Sequence, residues 1–391
     1  MPLSSTTPRR VALYIDSLKL GGAERVTLRL VCWLRDGGWQ PLLLTRKPPS
    51  WDFYPIPVGV QRMVEPADPD WVRRLGPFGL PWRLLRLRRW MRRQKVTLVI
   101  GITTIPAVKL LLALRGLNVL CVVSERNYPP LKPVGLPWRL LRRLSYPWAD
   151  LHLVQTEAVG RWLREHVSAR HQLHLPNPVT WPLPAADSCL DPQLWLAQAG
   201  VAPDDPVLLA VGTKSWQKGF DRLVDWFRLL AVQHPRLQLV IVGLPQREYH
   251  GRDQWRDLQL LLEGEPDLLS RLHSPGPVGN VQAWYERATL FVLSSRYEGF
   301  PNVLLEAMAT GCCCISADCP QGPAELIEDG RNGRLMAATA SNQQWVNVLD
   351  ALLTCPSERQ RLGLEAQAVR RRYAPEQLAQ RFTSALELLH Q

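Results

Sequence analysis

The chain has 391 residues, enough for two domains, and its 46% apolar and 21% charged residues exclude a disordered or low-complexity polypeptide. A formal charge of +12 excludes an acidic surface and points to an anionic partner: a phosphate-bearing substrate, an anionic membrane or a nucleic acid. No run of about 18 apolar residues occurs and the stretch from Met1 to Arg10 is polar, so neither a spanning helix nor a signal peptide is expected, and the expected location is the cytoplasm.

In chain order, Val11–Ile15 is a short apolar run that predicts a buried strand, followed by Gly21 and Gly22 and a helical pattern from Ala23 to Leu34. Strands are predicted at Pro41–Thr45, Thr97–Ile100, Val119–Val123 and Leu151–Val154, with helical stretches between them. The stretch 175–205 is rich in Pro, Ala and Asp and reads as a linker with a short helix near Gln193–Ala199. A second alternating series follows: strand Val207–Val211, helix Phe220–Val232, strand Leu237–Val242, helix Trp255–Leu262, strand Leu290–Leu293, helix Asn302–Ala309 and strand Cys313–Ser316. From Gln343 onward the pattern is largely helical. Strands alternating with helices predict parallel sheets covered on both faces, so the fold class is α/β, with two Rossmann-like doubly wound domains in tandem. Ligands of such sheets bind outside the carboxyl ends of the strands, which predicts an interdomain cleft as the binding site.

The eight cysteines (Cys32, Cys121, Cys189, Cys312, Cys313, Cys314, Cys319 and Cys355) contain no C-x-x-C pair. They read as reduced thiols, with the Cys312–Cys314 run packing a buried strand, and no metal site is expected.

The segment carrying chemistry runs from Ser294 to Gly311, SSRYEGFPNVLLEAMATG, out of a strand and into a helix. Gly299 and Pro301 shape the turn, and Asn302 is expected to cap the helix. The helix start then presents N–H groups and the positive end of its dipole to a diphosphate. Glu298 lies before the helix and Glu306 about one turn inside it, and such carboxylates bind vicinal hydroxyls. Taken alone, each carboxylate could equally be a solvated surface charge.

Glu298 and Glu306, separated by seven residues within EGFPNVLLEAMATG, resemble the donor-site signature of retaining GT-B glycosyltransferases, in particular glycosyltransferase family 4. The resemblance continues through DCPQGPAE (318–325) and Asn332-Gly333. It reaches back to Val211-Gly212, to Gln217-Lys218-Gly219-Phe220 and to Gly21-Gly22-Ala23-Glu24, covering nearly the whole chain in order. It implies an acceptor-binding domain at 1–178, a linker at 179–205, a nucleotide-sugar-binding domain at 206–375, and a C-terminal helix at 376–391 that packs back toward the first domain. Glu306 would bind the donor ribose, and Glu298 the transferred sugar. Backbone over Gly299, Phe300, Pro301, Asn302 and Val303 would hold sugar and distal phosphate, and Lys218 would neutralise the diphosphate. Gly21, Gly22 and Gly212 would let backbone approach the ligands closely. Catalytic roles fall to Glu298, Lys218 and Arg126. Where relatives carry Arg after the glycine corresponding to Gly212, this chain has Thr213 and then Lys214, which would supply the charge. Where many relatives carry His in the first domain, the loop Ser124-Glu125-Arg126-Asn127 holds Arg126 instead. No cofactor and no metal are implied beyond the nucleotide-sugar substrate.

Two further features bear on partners. GLPWRLLR occurs at 79–86 and again at 135–142, each copy reading as a helix start. The stretch 73–95 holds eight Arg and one Lys with no acidic residue, interleaved with Phe78, Trp82, Trp90 and Met91. Arg with Trp and Leu on amphipathic helices suits an anionic membrane surface; the alternative is a solvated basic face with its aromatics in the core. Nucleic acid is not expected, because no recognition module is visible. Asp68-Pro-Asp70 has the D-x-D form of metal-dependent transferases but reads as a loop. The expected activity is transfer of a hexose or N-acetylhexosamine from a nucleotide-sugar, most similar to users of UDP-sugars, to a glycan or lipid-linked glycan. Rival readings are an epimerase of the same fold and a catalytically silent membrane scaffold.

Overall fold

The computed structural model describes residues 9–19, 21–126, 128–131, 134–186, 188–245, 251–320 and 322–390, and of His390 only the backbone. The chain forms two compact units, residues 1–177 with 376–391 and residues 178–375.

The first unit holds seven strands: β1 (Arg10–Ile15), β2 (Gln40–Thr45), β3 (Gln61–Val64), β4 (Leu98–Ile102), β5 (Leu120–Glu125), β6 (Leu151–Val154) and β7 (Gln172–His174). They form one parallel sheet in the order β3-β2-β1-β4-β5-β6-β7. The second unit holds β8 (Val207–Val211), β9 (Gln238–Val242), β10 (Leu272–Gly276), β11 (Leu290–Leu293), β12 (Cys314–Ala317) and β13 (Arg334–Met336). These are parallel in the order β10-β9-β8-β11-β12-β13. The inner strands are apolar at nearly every position because helices cover both faces, as a parallel sheet requires. Each sheet reverses direction once, between β1 and β4 and between β8 and β11. At such a switch the connections diverge and leave a crevice at the carboxyl ends of the strands.

Each sheet has a core on either face. Cys313 belongs to one core of the second unit, while Cys312 and Cys314 belong to the other, so the three adjacent thiols alternate across β12 and its approach. Burial pushes the Cys313 thiol up to about 12. The C-terminal helix, Pro375–His390, sends Leu378, Phe382 and Leu386 into the core of the first unit beside Val11 and Leu13.

The stretch 179–205 is not a free linker but part of the second unit. Val179, Leu196 and Val201 are buried in its core, and Asp191 caps the Pro192–Gln198 helix through its side chain. Ala186 N–H and Gly279 C=O, then Gly279 N–H and Ser188 C=O, are joined at 2.8 and 2.7 Å. Its prolines and aspartates thus serve a strap laid over a packed surface.

Both copies of GLPWRLLR start helices, Leu80–Arg93 and Leu136–Ser145, each with proline in the first turn. The basic stretch is not wholly without counter-charge. Asp68, the first residue of the D-x-D motif, takes Arg83 and Arg86 at 2.6 Å each and so clamps the Leu80–Arg93 helix, while Asp70 pairs with Arg73. Burial alone would raise the Asp68 carboxyl; these two hydrogen bonds outweigh it and hold the group below its usual range.

Candidate functional site

The site forms at the switch point of the second sheet, where the segments leaving β8 and β11 meet. After β8 the chain runs through Gly212 into a helical turn, Ser215–Lys218, and then the Phe220–Leu230 helix. After β11 it runs through Ser294–Pro301 into the Asn302–Thr310 helix. Lys218 Nζ donates to Glu298 Oε1 at 2.8 Å, with Lys218 14% and Glu298 6% exposed. Ser295 Oγ donates to the same oxygen, and among the described residues no donor reaches Oε2.

Backbone packing holds this pair in place. Gly219 has φ +65, and a Cβ there would stand 2.1 Å from the Ser294 carbonyl oxygen. Ser294 Oγ donates to Lys218 C=O at 2.7 Å. A Cβ on Gly212 would stand 2.7 Å from Lys218 Cγ, so the lysine stem lies in the space this glycine leaves. Three residues that sequence reasoning missed complete the brace. Arg296 donates to both oxygens of Asp221 at 2.7 and 2.6 Å, and Arg222 donates to the Ser294 and Ser295 carbonyls. Burial alone would raise the Asp221 carboxyl, but the bond to Arg296 outweighs it and holds the group low. The pattern K-G-x-D-R facing S-S-R-x-E was visible in the sequence; its pairing across 72 to 80 residues was not. Cys319 lies close enough for burial and the Glu298 charge to push its thiol up to about 12, with Lys218 opposing.

The helix start differs in one detail from expectation. Pro301 occupies the cap position and Asn302 is the first helical residue, because Pro301 C=O accepts from Leu304 and Leu305 N–H. Leu304, Leu305, Ala307, Met308 and Ala309 are buried, leaving Asn302, Glu306 and Thr310, four apart, as a polar line. Phe300 is buried, and Gly322, at φ +111, lets the loop after β12 reach Pro301. Lys214 is exposed and shares no hydrogen bond or ion pair with Glu298 among the described residues. It lines a neighbouring hollow of about 600 Å³ together with Trp216, Gln254 and Tyr297.

The other predicted site residues, Gly21, Gly22 and Arg126, lie on the first unit. Gly21 precedes the Gly22–Asp36 helix, and a Cβ there would meet the Glu24 carboxylate at 2.3 Å. Ser124 and Glu125 are the last residues of β5 rather than loop, Arg126 follows them, and Asn127 lies outside the described residues. Arg126 is 6% exposed, and its Nε donates to Ser124 Oγ at 2.7 Å. Burial lowers its guanidinium to about 10, so it stays charged at neutral pH. Beside it, Glu125 Oε2 accepts from Thr104 Oγ1 at 3.0 Å and Tyr146 OH at 2.9 Å. Thr103, at the first sheet's switch point, has φ +67, a conformation rare outside glycine that clusters at functional sites. Nothing in its sequence context marks it. Among the described residues, no group of three His, Cys, Asp or Glu side chains is placed to hold a metal ion.

Two family models match the chain: glycosyl transferases group 1 over residues 193–369, and the glycosyl transferase 4-like domain over residues 21–178. Together with the paired parallel sheets, they show that the chain belongs to the GT-B glycosyltransferases of the family 4 type. An uncharacterized glycosyltransferase of Haemophilus influenzae is 27% identical over 245 residues, 63% of each chain. The amylovoran biosynthesis glycosyltransferase AmsD of Erwinia amylovora is 27% identical over 179 residues, 46% of this chain and 47% of that one. Both matches span less than two thirds of the relative's length. Among solved structures, Anabaena HepE in complex with UDP superimposes with a TM-score of 0.80 at 19% identity, covering 97% of this chain and 99% of that one.

Proposed function

We propose that the protein is a retaining glycosyltransferase that moves a hexose or N-acetylhexosamine from a UDP-sugar to a hydroxyl of a glycan or lipid-linked glycan in cell-surface polysaccharide synthesis. The Lys218–Glu298 pair beside the start of the Asn302–Thr310 helix is the observation that carries this reading. In the reaction the bond from the sugar's anomeric carbon to the diphosphate breaks, and a bond from that carbon to the acceptor oxygen forms. The diphosphate leaves with the electron pair, and the acceptor's proton balances it. The Lys218 ammonium and the helix N–H groups stabilise that growing charge. Glu298 Oε2 accepts from a sugar hydroxyl, and Glu306 accepts from the ribose. On the first unit, Arg126 is assigned a catalytic role on the acceptor side, and Gly21 and Gly22 give the acceptor or a phosphate close access to backbone. The UDP in the HepE structure and the polysaccharide named for AmsD support the donor and the pathway class.

Product analysis with a panel of UDP-sugars separates this reading from its rivals. UDP release that rises with a glycan acceptor supports it; epimerised free sugar without acceptor, or no turnover of any sugar, counts against it. Glu306→Ala is expected to weaken UDP binding about 10- to 100-fold by calorimetry, the loss of one or two hydrogen bonds to a charged acceptor. Unchanged affinity would remove Glu306 from the site.

We infer that the acceptor side docks at an anionic membrane surface, the inner face of the cytoplasmic membrane. No helix of the described residues is long and apolar enough to cross a membrane. On the Leu136–Ser145 helix, however, Leu136, Leu140 and Leu144 are 63%, 61% and 57% exposed along one face, with Arg139 and Arg143 also exposed. Near the other GLPWRLLR copy Phe78 is 83% exposed and Trp82 47%. The two helices flank the Thr104–Leu114 helix. An apolar strip rimmed by arginine is the composition of an interfacial anchor. Leu140→Asp with Leu144→Asp is expected to cut sedimentation with phosphatidylglycerol vesicles about tenfold or more while leaving UDP affinity unchanged. Equal sedimentation would detach this face from the membrane.

A further inference from the structure

The carboxyl ends of β1 and β2 carry a cluster that the donor site does not use. The loops after these strands are tied together. Arg46 and Lys47 N–H donate to Asp16 C=O at 3.1 and 3.0 Å, and Phe53 N–H donates to Leu18 C=O at 2.9 Å. Behind them Arg62, on β3, pairs with Asp52, both nearly buried, and donates to Thr45 Oγ1 and the Lys47 carbonyl at 2.9 and 3.0 Å. This scaffold fixes the Pro49–Trp51 turn, and on the half-exposed ring of Trp51 two ammonium groups converge. Lys19 Nζ is 3.8 Å from the ring centroid and Lys47 Nζ is 4.3 Å from it.

Each ammonium is held weakly by the ring quadrupole, and the two like charges repel. Among the described residues neither ammonium forms an ion pair, whereas neighbouring Arg46 is neutralised by Asp16. Two unneutralised cations on a rigid aromatic platform, at the ligand-binding end of a parallel sheet, lack only a counter-anion. We propose that Lys19, Lys47 and Trp51 form a binding station for a phosphate or diphosphate group of the acceptor, so that the acceptor is a phosphorylated or diphosphate-linked glycan. The assignment rests on the donor being held by Lys218 and the Glu298–Glu306 segment. The station is built from the loops after β1 and β2, whereas the residues assigned to the membrane lie on or next to the Leu80–Arg93 and Leu136–Ser145 helices.

The test titrates inorganic pyrophosphate into the full chain, with and without saturating UDP, and follows heat. UDP-saturated wild type is expected to bind pyrophosphate. K19Q/K47Q is expected to bind at least tenfold more weakly, and R92Q/R93Q, which removes the same charge elsewhere, within twofold of wild type. UDP affinity and phosphatidylglycerol-vesicle sedimentation of K19Q/K47Q are expected to match wild type, and K19R/K47R is expected to restore pyrophosphate binding. No binding to the UDP-saturated protein, or equal losses in the two glutamine doubles, overturns the station. A loss of UDP affinity in K19Q/K47Q assigns the lysines to the donor, and a loss of sedimentation assigns them to lipid headgroups; either overturns the acceptor assignment. Lysine-dependent pyrophosphate binding by a wild type that does not bind UDP would leave the station standing while the donor reading falls.

Discussion

Lys218→Met is expected to lower the rate of sugar transfer at saturating donor by about 10²–10³-fold, the usual cost of removing one group aimed at charge that grows in the transition state. The substitution keeps the aliphatic stem that fills the space over Gly212. It removes only the ammonium 2.8 Å from Glu298. The Glu298 carboxylate, still bonded to Ser295, then lacks its counter-charge and destabilises the second unit by about 1–3 kcal/mol. Adding Glu298→Gln removes the stranded charge, so the double variant should regain much of the lost melting temperature. It should not regain turnover, because the cation is still missing and the carboxylate is gone. Recovery of both together would mean that the pair is a structural ion pair and not a donor site. Initial rates of UDP release and thermal unfolding of the same preparations decide the matter.

Gly219→Ala is expected to have the largest effect on stability. A left-handed conformation costs a non-glycine residue about 1–2 kcal/mol. The new Cβ would also stand 2.1 Å from the Ser294 carbonyl oxygen, a backbone atom at the exit of β11 that cannot swing aside. The sum should exceed about 3 kcal/mol, a fall of roughly 6–12 °C for a unit of this size. Gly264→Ala is the control. Its φ is +86, but nothing lies within 4 Å of the added carbon, so only the conformational part of about 1–2 kcal/mol applies. Similar losses at the two positions would mean that the close approach between the turn after β8 and the loop after β11 does not hold the site together.

What was legible beforehand follows a physical pattern. The inner strands β1, β2, β4, β5, β6, β8, β9, β11 and β12 are apolar runs because both of their faces are buried. The four strands with no such signal, β3, β7, β10 and β13, are the outermost strands of the two sheets. Their sequences, QRMV, QLH, LHSPG and RLM, are polar, short or broken by proline and glycine, as half-covered edges permit. The strap 179–205 misled because Pro and Asp suit a free linker and a capped, hydrogen-bonded surface segment equally well.

The site was legible where it is local. The turn into the Asn302–Thr310 helix and the line of Asn302 and Glu306 follow from spacing alone. The pairing of Lys218 with Glu298 and of Asp221 with Arg296 needed the sheet order, which brings β8 beside β11. Thr103 and the Trp51 platform carried no motif at all. Their character lies in a backbone angle and in contacts between loops.

The claim that the Glu298–Glu306 segment binds a nucleotide-sugar is tested most directly by thermal unfolding of wild type and Glu306→Ala across a panel of UDP-, GDP- and ADP-sugars. A ligand that binds only the folded state raises the melting temperature in proportion to its affinity. UDP-sugars should stabilise the wild type, other nucleotides should do so less, and the shift should shrink in Glu306→Ala. No shift with any nucleotide-sugar, or one that Glu306→Ala leaves intact, would contradict the donor site proposed for this protein.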